Sequence, residues 1–416
     1  MTAPSMSGQH GHFADPLPKS GKSIKAAFHF GQTALTQAVR GRRALLAARP
    51  ETTDHDTHLM AGADWLKRSI NVCGGLASSK AYRFPWGWVP PYPETTGYII
   101  PTLLNLADET GSPEWAAMTD PMGRWLCSVQ GKDGGFAAYE LGLGQKPDVF
   151  DTGMILLGFN ALQHRAADPL VAKAAARSAD FLQQSIDGEG AFVRNVSHDM
   201  LHTYNVRAAW ALVAYGAMTG NTSATAAGMA NVDWTLRQQR DNGFFDNNGF
   251  KPGGNANTHG TAYVLRGLLQ VYFLTERQDI LDAVLRGANA VVGRLEAEGW
   301  LAAEIGPEWE FRSKHICLTG CVQIAIICFR LAALTGDQKF VMAAERLIAQ
   351  VASTQAVKFP SKEHHGAISG SYPIYGAYAP LQYPNWATKF MVDALIERRR
   401  WHRGERSLPA RDRFSG

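Results

Sequence analysis

The sequence predicts an all-α protein, a closed (α/α)6 toroid built from six αα-hairpin repeats. Three observations carry that prediction. An aromatic or aliphatic anchor recurs at Trp65, Trp125, Phe181, Trp234, Val291 and Leu347, in steps of 60, 56, 53, 57 and 56 residues. Five anchors are followed by a glycine-containing turn: Gly74-Gly75-Leu76, Asp133-Gly134-Gly135-Phe136, Asp187-Gly188-Glu189-Gly190, Asp241-Asn242-Gly243-Phe244 and Glu298-Gly299-Trp300. Each turn leads to a second segment that is apolar nearly all round, as at 154–159 and 324–329. Self-similarity at this period marks hairpins that bury their apolar faces only against their neighbours. Second helices buried on every side favour a closed ring over an open solenoid.

Taken in order, residues 1–55 read as an N-terminal tail and an amphipathic helix over 24–47. Its stripe of Ala27, Phe28, Ala34, Leu35, Ala38 and Val39 is expected to pack on the toroid as a lid or cap. The toroid occupies 56–402. Its second helices start near Thr96-Gly97, Thr152-Gly153, Asn205-Val206, Gly260-Thr261, Thr319-Gly320 and Asn385-Trp386. Three end in a Thr-Gly turn, at Gly111, Gly220 and Gly336, where glycine suits a left-handed cap. The sixth copy, Lys358-Phe359-Pro360, has no glycine. The first hairpin contains an aromatic loop over 82–93, expected to plug the ring's centre or to form a stacking platform for a sugar ring or an isoprenoid chain. Residues 403–416 read as a basic, polar, disordered tail.

At 45% hydrophobic and 19% charged residues, the 416-residue chain has the composition of a globular protein with ample core material. A net charge of +4 is too slight to argue for nucleic acid as a partner. No apolar run reaches the roughly 18 residues of a membrane span. The first 23 residues hold no hydrophobic region of the kind a secretion signal needs, so a cytoplasmic location is expected. Cys73, Cys127, Cys317, Cys321 and Cys328 are odd in number and lack framework spacing, which suits a reducing compartment. Basic residues gather near both ends, at Lys22, Lys25, Arg40, Arg42 and Arg43 and at Arg398, Arg399, Arg400, Arg403 and Arg406. They form either a solvated surface or a peripheral contact with a membrane or a lipid-linked substrate.

Six such hairpins, one reading Gln130 and Asp133-Gly134-Gly135-Phe136, resemble the (α/α)6 toroids of the terpenoid cyclase and protein prenyltransferase type, a fold shared with many carbohydrate-active enzymes. More narrowly, YPETTGY at 92–98, VFDTG at 149–153, CLTG at 317–320 and YPNWATKF at 383–390 are similar to a family of toroids associated with bacterial cell-surface polysaccharide genes. The resemblance covers roughly 56–402. It implies the fold and a polysaccharide context, without a reaction.

In a toroid the starts of the inner helices share one mouth, where free N–H groups favour negative charge. This sequence concentrates polar residues there. Glu94, Asp151 and Asn205 suit helix capping, but His202, Tyr204, Arg207, His259, His315, Tyr383 and Lys389 have no use as caps. Two constellations follow. Glu94 and Asp151, from adjacent repeats, suit glycoside hydrolysis by an acid and a base or nucleophile. Alternatively Tyr204, His259 and Tyr383 could move protons while Asn205, Arg207 and Lys389 neutralise a uronate, as elimination or C5 epimerisation requires. Trp86, Trp88, Tyr92, Tyr98, His202, His315 and Asn385 complete the substrate-binding set, and Glu94, Asp151, Tyr204 and His259 are the catalytic candidates.

His315 and Cys317 stand where zinc-dependent prenyltransferases carry an Asp-x-Cys pair, but the following repeat offers no histidine ligand. No metal and no cofactor are therefore expected, and Cys317 and Cys321 read as packed core. The His364-His365 pair reads as surface. Without an Asp-Asp pair or a phosphate loop, a terpenoid or prenyl enzyme ranks below sugar chemistry. The expectation is a carbohydrate-active enzyme acting on an oligosaccharide, a polysaccharide or a lipid-linked glycan, with a glycoside hydrolase ahead of a lyase or epimerase. A terpenoid-type enzyme or a non-catalytic glycan-binding scaffold is the alternative.

Overall fold

The computed structural model describes residues 20–138, 146–251, 254–357 and 361–415. The first 19 residues, Gly253 of the 253–254 glycine pair and the Lys358-Phe359-Pro360 turn lie outside the described residues. Helix α1 (Ser20–Leu46) precedes six helix pairs. The chain then forms α2 (His55–Asn71), α3 (Pro93–Thr110), α4 (Pro113–Ala117), α5 (Thr119–Val129), α6 (Val149–Arg165), α7 (Pro169–Gln184) and α8 (Val206–Thr219). It continues through α9 (Thr222–Arg237), α10 (Thr258–Thr275), α11 (Gln278–Glu298), α12 (Leu318–Thr335), α13 (Gln338–Ala352), α14 (Asn385–His402) and α15 (Ala410–Ser415).

Every repeat anchor falls on an outer helix: α2, α5, α7, α9, α11 and α13. The second helices form the inner ring, in which α3 packs on α6, α6 on α8, α8 on α10, α10 on α12 and α12 on α14. Helix α14 then closes on α3. Inner helices are buried almost throughout; α12 has an unbroken buried run from Leu318 to Ala332. Composition alone would let α12 cross a membrane, yet neighbouring helices cover it. Strands among the described residues are limited to two- and three-residue ribbons between the helices.

The repeated glycine turn has a packing cause. Gly134 (φ +92°) and Gly190 (φ +88°) are left-handed, and at each a Cβ would come within 2.3 Å of a carbonyl on the next outer helix, Arg177 O and Ala230 O respectively. Only glycine allows that approach. Gln130 Nε2 then ties the turn to the same helix, donating to Gly134 O at 3.0 Å and Ala174 O at 2.9 Å.

Two expectations fail here. The C-terminal tail is not disordered: α15 docks across the end of the ring opposite the inner-helix starts. Gln270 Nε2 donates to Asp412 O at 2.5 Å, Trp210 Nε1 to Arg413 O at 3.2 Å, and the buried Asp412 carboxylate takes Arg400 Nη1 at 2.6 Å. Polar composition misleads because the partners of these polar groups are buried in the ring itself. Much of the C-terminal basic cluster is likewise consumed in ion pairs, Arg398 with Glu345, Arg399 with Asp56 and Arg403 with Glu109.

The second correction concerns α1, which lies along the ring's flank with its apolar stripe reversed. Thr33, Gln37 and Leu45 face the ring, Gln37 Oε1 accepts from Ile374 N at 2.6 Å, and Phe30 meets Phe84 at 5.7 Å between ring centroids. Phe28, Leu35 and Val39 point outward, 64%, 66% and 78% exposed. The ring side of α1 combines the Gln37–Ile374 hydrogen bond with apolar contacts made by Phe30 and Leu45, so the long apolar side chains at 28, 35 and 39 are left outside.

Candidate active site

Inner-helix starts from neighbouring repeats converge on one cavity of about 300 Å³. Its acidic wall comes from the first two repeats: Glu94 in the first turn of α3, Asp151 in the first turn of α6, and Asp148 just before α6. Each is about 5% exposed. Asp148 caps α6, accepting from the backbone N–H of Phe150 at 2.7 Å, and its other oxygen accepts from Ser197 Oγ at 2.9 Å. That second bond holds a loop in which Asn195, His198 and Asp199 are all left-handed, at φ 56°, 58° and 50°. Non-glycine residues held this way store strain of the kind that collects at functional sites. His198 from this loop lines the cavity.

Tyr92 sits between the two carboxyls. Its hydroxyl donates to Asp151 Oδ2 at 2.9 Å and also faces Glu94. One hydroxyl thus faces both carboxyls. Burial pushes the Glu94 carboxyl up to about 8 against the opposing pull of Lys80 and Arg207. Asp151 goes well above the usual carboxylate range, chiefly through burial and then through the charges of Asp148 and Glu94. Burial also raises Asp148, against the pull of its hydrogen bonds. Both catalytic candidates are thus pushed up, chiefly by burial.

Opposite the acids stands an aromatic wall of Tyr98, Phe150, Tyr204, Phe250, Tyr263, Tyr378 and Trp386. Trp386 Nε1 donates to the Tyr378 hydroxyl at 3.0 Å, and Phe150 packs on Tyr204 and Tyr263 at 5.5 and 4.9 Å. Lys80 stands over the Tyr92 ring at 5.1 Å. His259 completes the lining. Arg207 Nη1 donates to Gln323 Oε1 at 3.4 Å, which turns the Gln323 amide nitrogen toward His259 Nδ1 at 2.6 Å. Nδ1 therefore accepts and Nε2 carries the proton. Burial and the Arg207 charge hold this imidazole well below its usual pKa, so it is neutral.

The cavity gathers Glu94, Asp151, Tyr204, His259, Tyr92 and Tyr98 from the sequence-derived set. Arg207 lies buried beside it, with its guanidinium 4.8 Å from the Tyr263 ring centroid and 5.4 Å from that of Phe390. The other candidates are elsewhere. Trp88 packs on the outer-helix Trp65 at 5.1 Å, and Trp86 is 59% exposed. Of the aromatic loop only Tyr92, at its end, reaches the cavity, and the rest of the loop does not plug the centre. Its strands Ala81–Arg83 and Gly87–Trp88 join Gln382–Pro384 to seal the junction of the first and sixth hairpins.

Tyr383 belongs to that seal, in a cluster with Phe84 and the buried His364, which is not a surface residue. It borders a separate groove of about 730 Å³ beneath α1. Asn385 Nδ2 is spent on Ser78, Ser79 and Thr95. His202 stacks on Tyr204 and bonds the carbonyls of Ser197 and Gly249, so it holds the loop. Lys389 pairs with Asp393 at 2.6 Å inside the ring, where burial lowers it to about 8. Asn205 and His315 are not in the lining either.

Lys80, His198, Phe250, Tyr263 and Tyr378 line the cavity without appearing among the sequence candidates. Tyr263 alone had a usable signal, since it lies one turn after His259 on the same helix. Among the described residues no group of three or more His, Cys, Asp or Glu is arranged to hold a metal. Burial pushes the Cys317 thiol up to about 12.

No family model matches the chain, and no curated protein matches it in sequence. Solved structures do match. The unsaturated glucuronyl hydrolase of Bacillus sp. GL1, described as responsible for the degradation of glycosaminoglycan, superposes with a TM-score of 0.65 at 16% identity, over 84% of this chain and 97% of that one. An unsaturated glucuronyl hydrolase specific for heparin gives 0.65 and 16%, over 87% and 99%. A family 88 glycosyl hydrolase from Bacteroides vulgatus gives 0.59 and 11%, over 82% and 98%. The shared property is the (α/α)6 toroid. These neighbours are named as glycoside hydrolases, and they give no support to the broader likeness to terpenoid cyclases.

Proposed function

We propose that this protein is a glycoside hydrolase acting on an oligosaccharide or polysaccharide, with Asp151 as general acid and Glu94 as general base. The observation that carries the reading is the buried Glu94–Tyr92–Asp151 constellation in a sugar-sized cavity with an aromatic wall. Asp151 protonates the glycosidic oxygen as the C–O bond breaks. Glu94 takes a proton from the water that attacks the anomeric carbon, so the proton given up is replaced and both products are neutral at the cut. Tyr204 and the Nε2–H of His259 orient sugar hydroxyls, and the aromatic rings stack on sugar faces.

The substrate favoured is an acidic glycan. Lys80 and Arg207 place positive charge beside the cavity, and the structural neighbours are named for action on glucuronyl residues. A lipid-linked form of such a glycan belongs to the same proposal. The elimination or epimerisation reading is weakened by two details. Tyr383 does not reach the cavity, and both His259 ring nitrogens are committed, Nδ1 as an acceptor from Gln323 and Nε2 as N–H. An isoprenoid cavity is disfavoured by the three acids, and a blocked scaffold by the position of Trp86 and Trp88.

The test is incubation with neutral oligosaccharides, saturated acidic ones and ones capped by an unsaturated uronic acid. Release of reducing ends from an acidic member, without new absorbance from unsaturated uronates, is the expected result. New absorbance, or solvent deuterium at C5 without cleavage, would transfer the site to the lyase or epimerase class.

A further inference from the structure

The exposed face of α1 is unusual for a surface helix. Phe28, Leu35, Val39 and Leu46 are 64%, 66%, 78% and 42% exposed. At 3.6 residues per turn they fall within about 40° of one another, on the side away from the buried Thr33 and Gln37. The helix has no acidic residue and five Lys or Arg, at 22, 25, 40, 42 and 43. Arg43, which is exposed, sits about 60° from the middle of the apolar stripe.

Two further exposed aromatics border the segments that α1 touches. Trp86 follows the Phe84 that meets Phe30, and Tyr375 follows the Ile374 whose N–H bonds Gln37. They are 59% and 55% exposed.

We propose that this face docks on an anionic bilayer surface, with α1 lying in the interface plane. An exposed apolar stripe on a helix whose only charged residues are cations matches a headgroup layer of negative lipids over acyl chains. A hydrophobic protein groove would leave the cations without partners. The C-terminal basic residues are not part of this surface, because Arg398, Arg399 and Arg403 are neutralised by Glu345, Asp56 and Glu109. The docking places the enzyme where lipid-linked or membrane-proximal glycan is made, but it does not rest on the hydrolase reading.

The experiment is flotation of the full chain with vesicles of phosphatidylcholine alone and of phosphatidylcholine mixed with phosphatidylglycerol. Binding to the anionic vesicles is expected to exceed binding to the neutral ones by about tenfold or more and to fall with added salt. Leu35→Ser with Val39→Ser, and separately Arg42→Gln with Arg43→Gln, should each weaken it by about tenfold. Both pairs leave the cavity untouched, so cleavage of a soluble oligosaccharide should not change. Equal partition into both vesicle types, or variants that float like the parent, overturns the proposal. So does light scattering in which the parent is a dimer and the Leu35→Ser, Val39→Ser variant a monomer, since the stripe then covers a second copy.

Discussion

The Tyr92 hydroxyl donates to the Asp151 carboxyl at 2.9 Å. That bond stabilises the ionised form of Asp151 and opposes the burial that keeps it protonated. Tyr92→Phe removes the opposition, so Asp151 holds its proton more firmly and gives it up less readily. The expected outcome is a lower kcat, with the alkaline limb of the rate profile moved to higher pH. An unchanged limb in a pH series of kcat/KM would show that Tyr92 does not tune the acid.

With Glu94 as the proposed base, it sets the acidic limb. As a base it must be ionised, and its carboxyl is pushed up to about 8 by burial. Activity of the free enzyme should therefore climb as pH rises toward about 8. An optimum near pH 5 in kcat/KM would contradict the base role.

The same shift has a stability consequence. A carboxyl whose folded pKa is raised favours the folded state below its unfolded value, and that contribution is lost as pH rises to the folded pKa. The window for Glu94 runs from the ordinary glutamate value of 4.5 to about 8, with a slope of up to roughly 1.4 kcal/mol per pH unit. Glu94→Gln has no such loss. Its melting temperature relative to the parent should be higher at pH 8.5 than at pH 5, read by calorimetry at both.

Gln323 fixes the His259 tautomer from outside the cavity. Gln323→Leu frees Nδ1 and leaves the Arg207 Nη1 hydrogen bond without its acceptor. With His259 in its proposed orienting role, KM should rise several-fold with a smaller change in kcat, by analogy with the loss of a positioned hydrogen bond of about 1 kcal/mol. A collapse of kcat at unchanged KM would assign His259 a direct part in the chemistry.

At the far end of the ring, Asp412→Ala removes one of the two carboxylates that Arg400 and Arg330 share, at 2.6 and 3.8 Å, and leaves them Glu397 at 3.2 and 2.9 Å. Losing one charge-assisted partner of a buried group costs about 1.5–3 kcal/mol. Thermal unfolding should move down by several degrees, whereas a disordered tail would leave it unchanged.

The ring was legible in the sequence because its cause is repeated. The same glycine must let the same turn touch the next outer helix, as Gly134 and Gly190 do, so spacing alone exposes the architecture. Glu94 and Asp151 were legible because inner-helix starts must share one mouth. Tyr378 and Lys80 were not, since they come from loops that no periodicity governs. Trp86, Trp88 and Tyr383 misled for a related reason: an aromatic-rich loop serves equally to seal two hairpins or to bind a sugar, and only the pairing of Ala81–Arg83 with Gln382–Pro384 decides. The outward stripe of α1 inverted its expectation because amphipathicity identifies two faces without saying which one meets the ring.

The central claim is that Asp151 and Glu94 carry the hydrolysis, and the most direct measurement pairs turnover with binding in their isosteric variants. With the oligosaccharide that the panel identifies, Asp151→Asn and Glu94→Gln should each lose reducing-end release by about 10²-fold or more. Calorimetric affinity for the same oligosaccharide should stay within a few-fold of the parent. Full turnover in both variants, with Tyr204→Phe or His259→Ala inactive instead, would contradict the account.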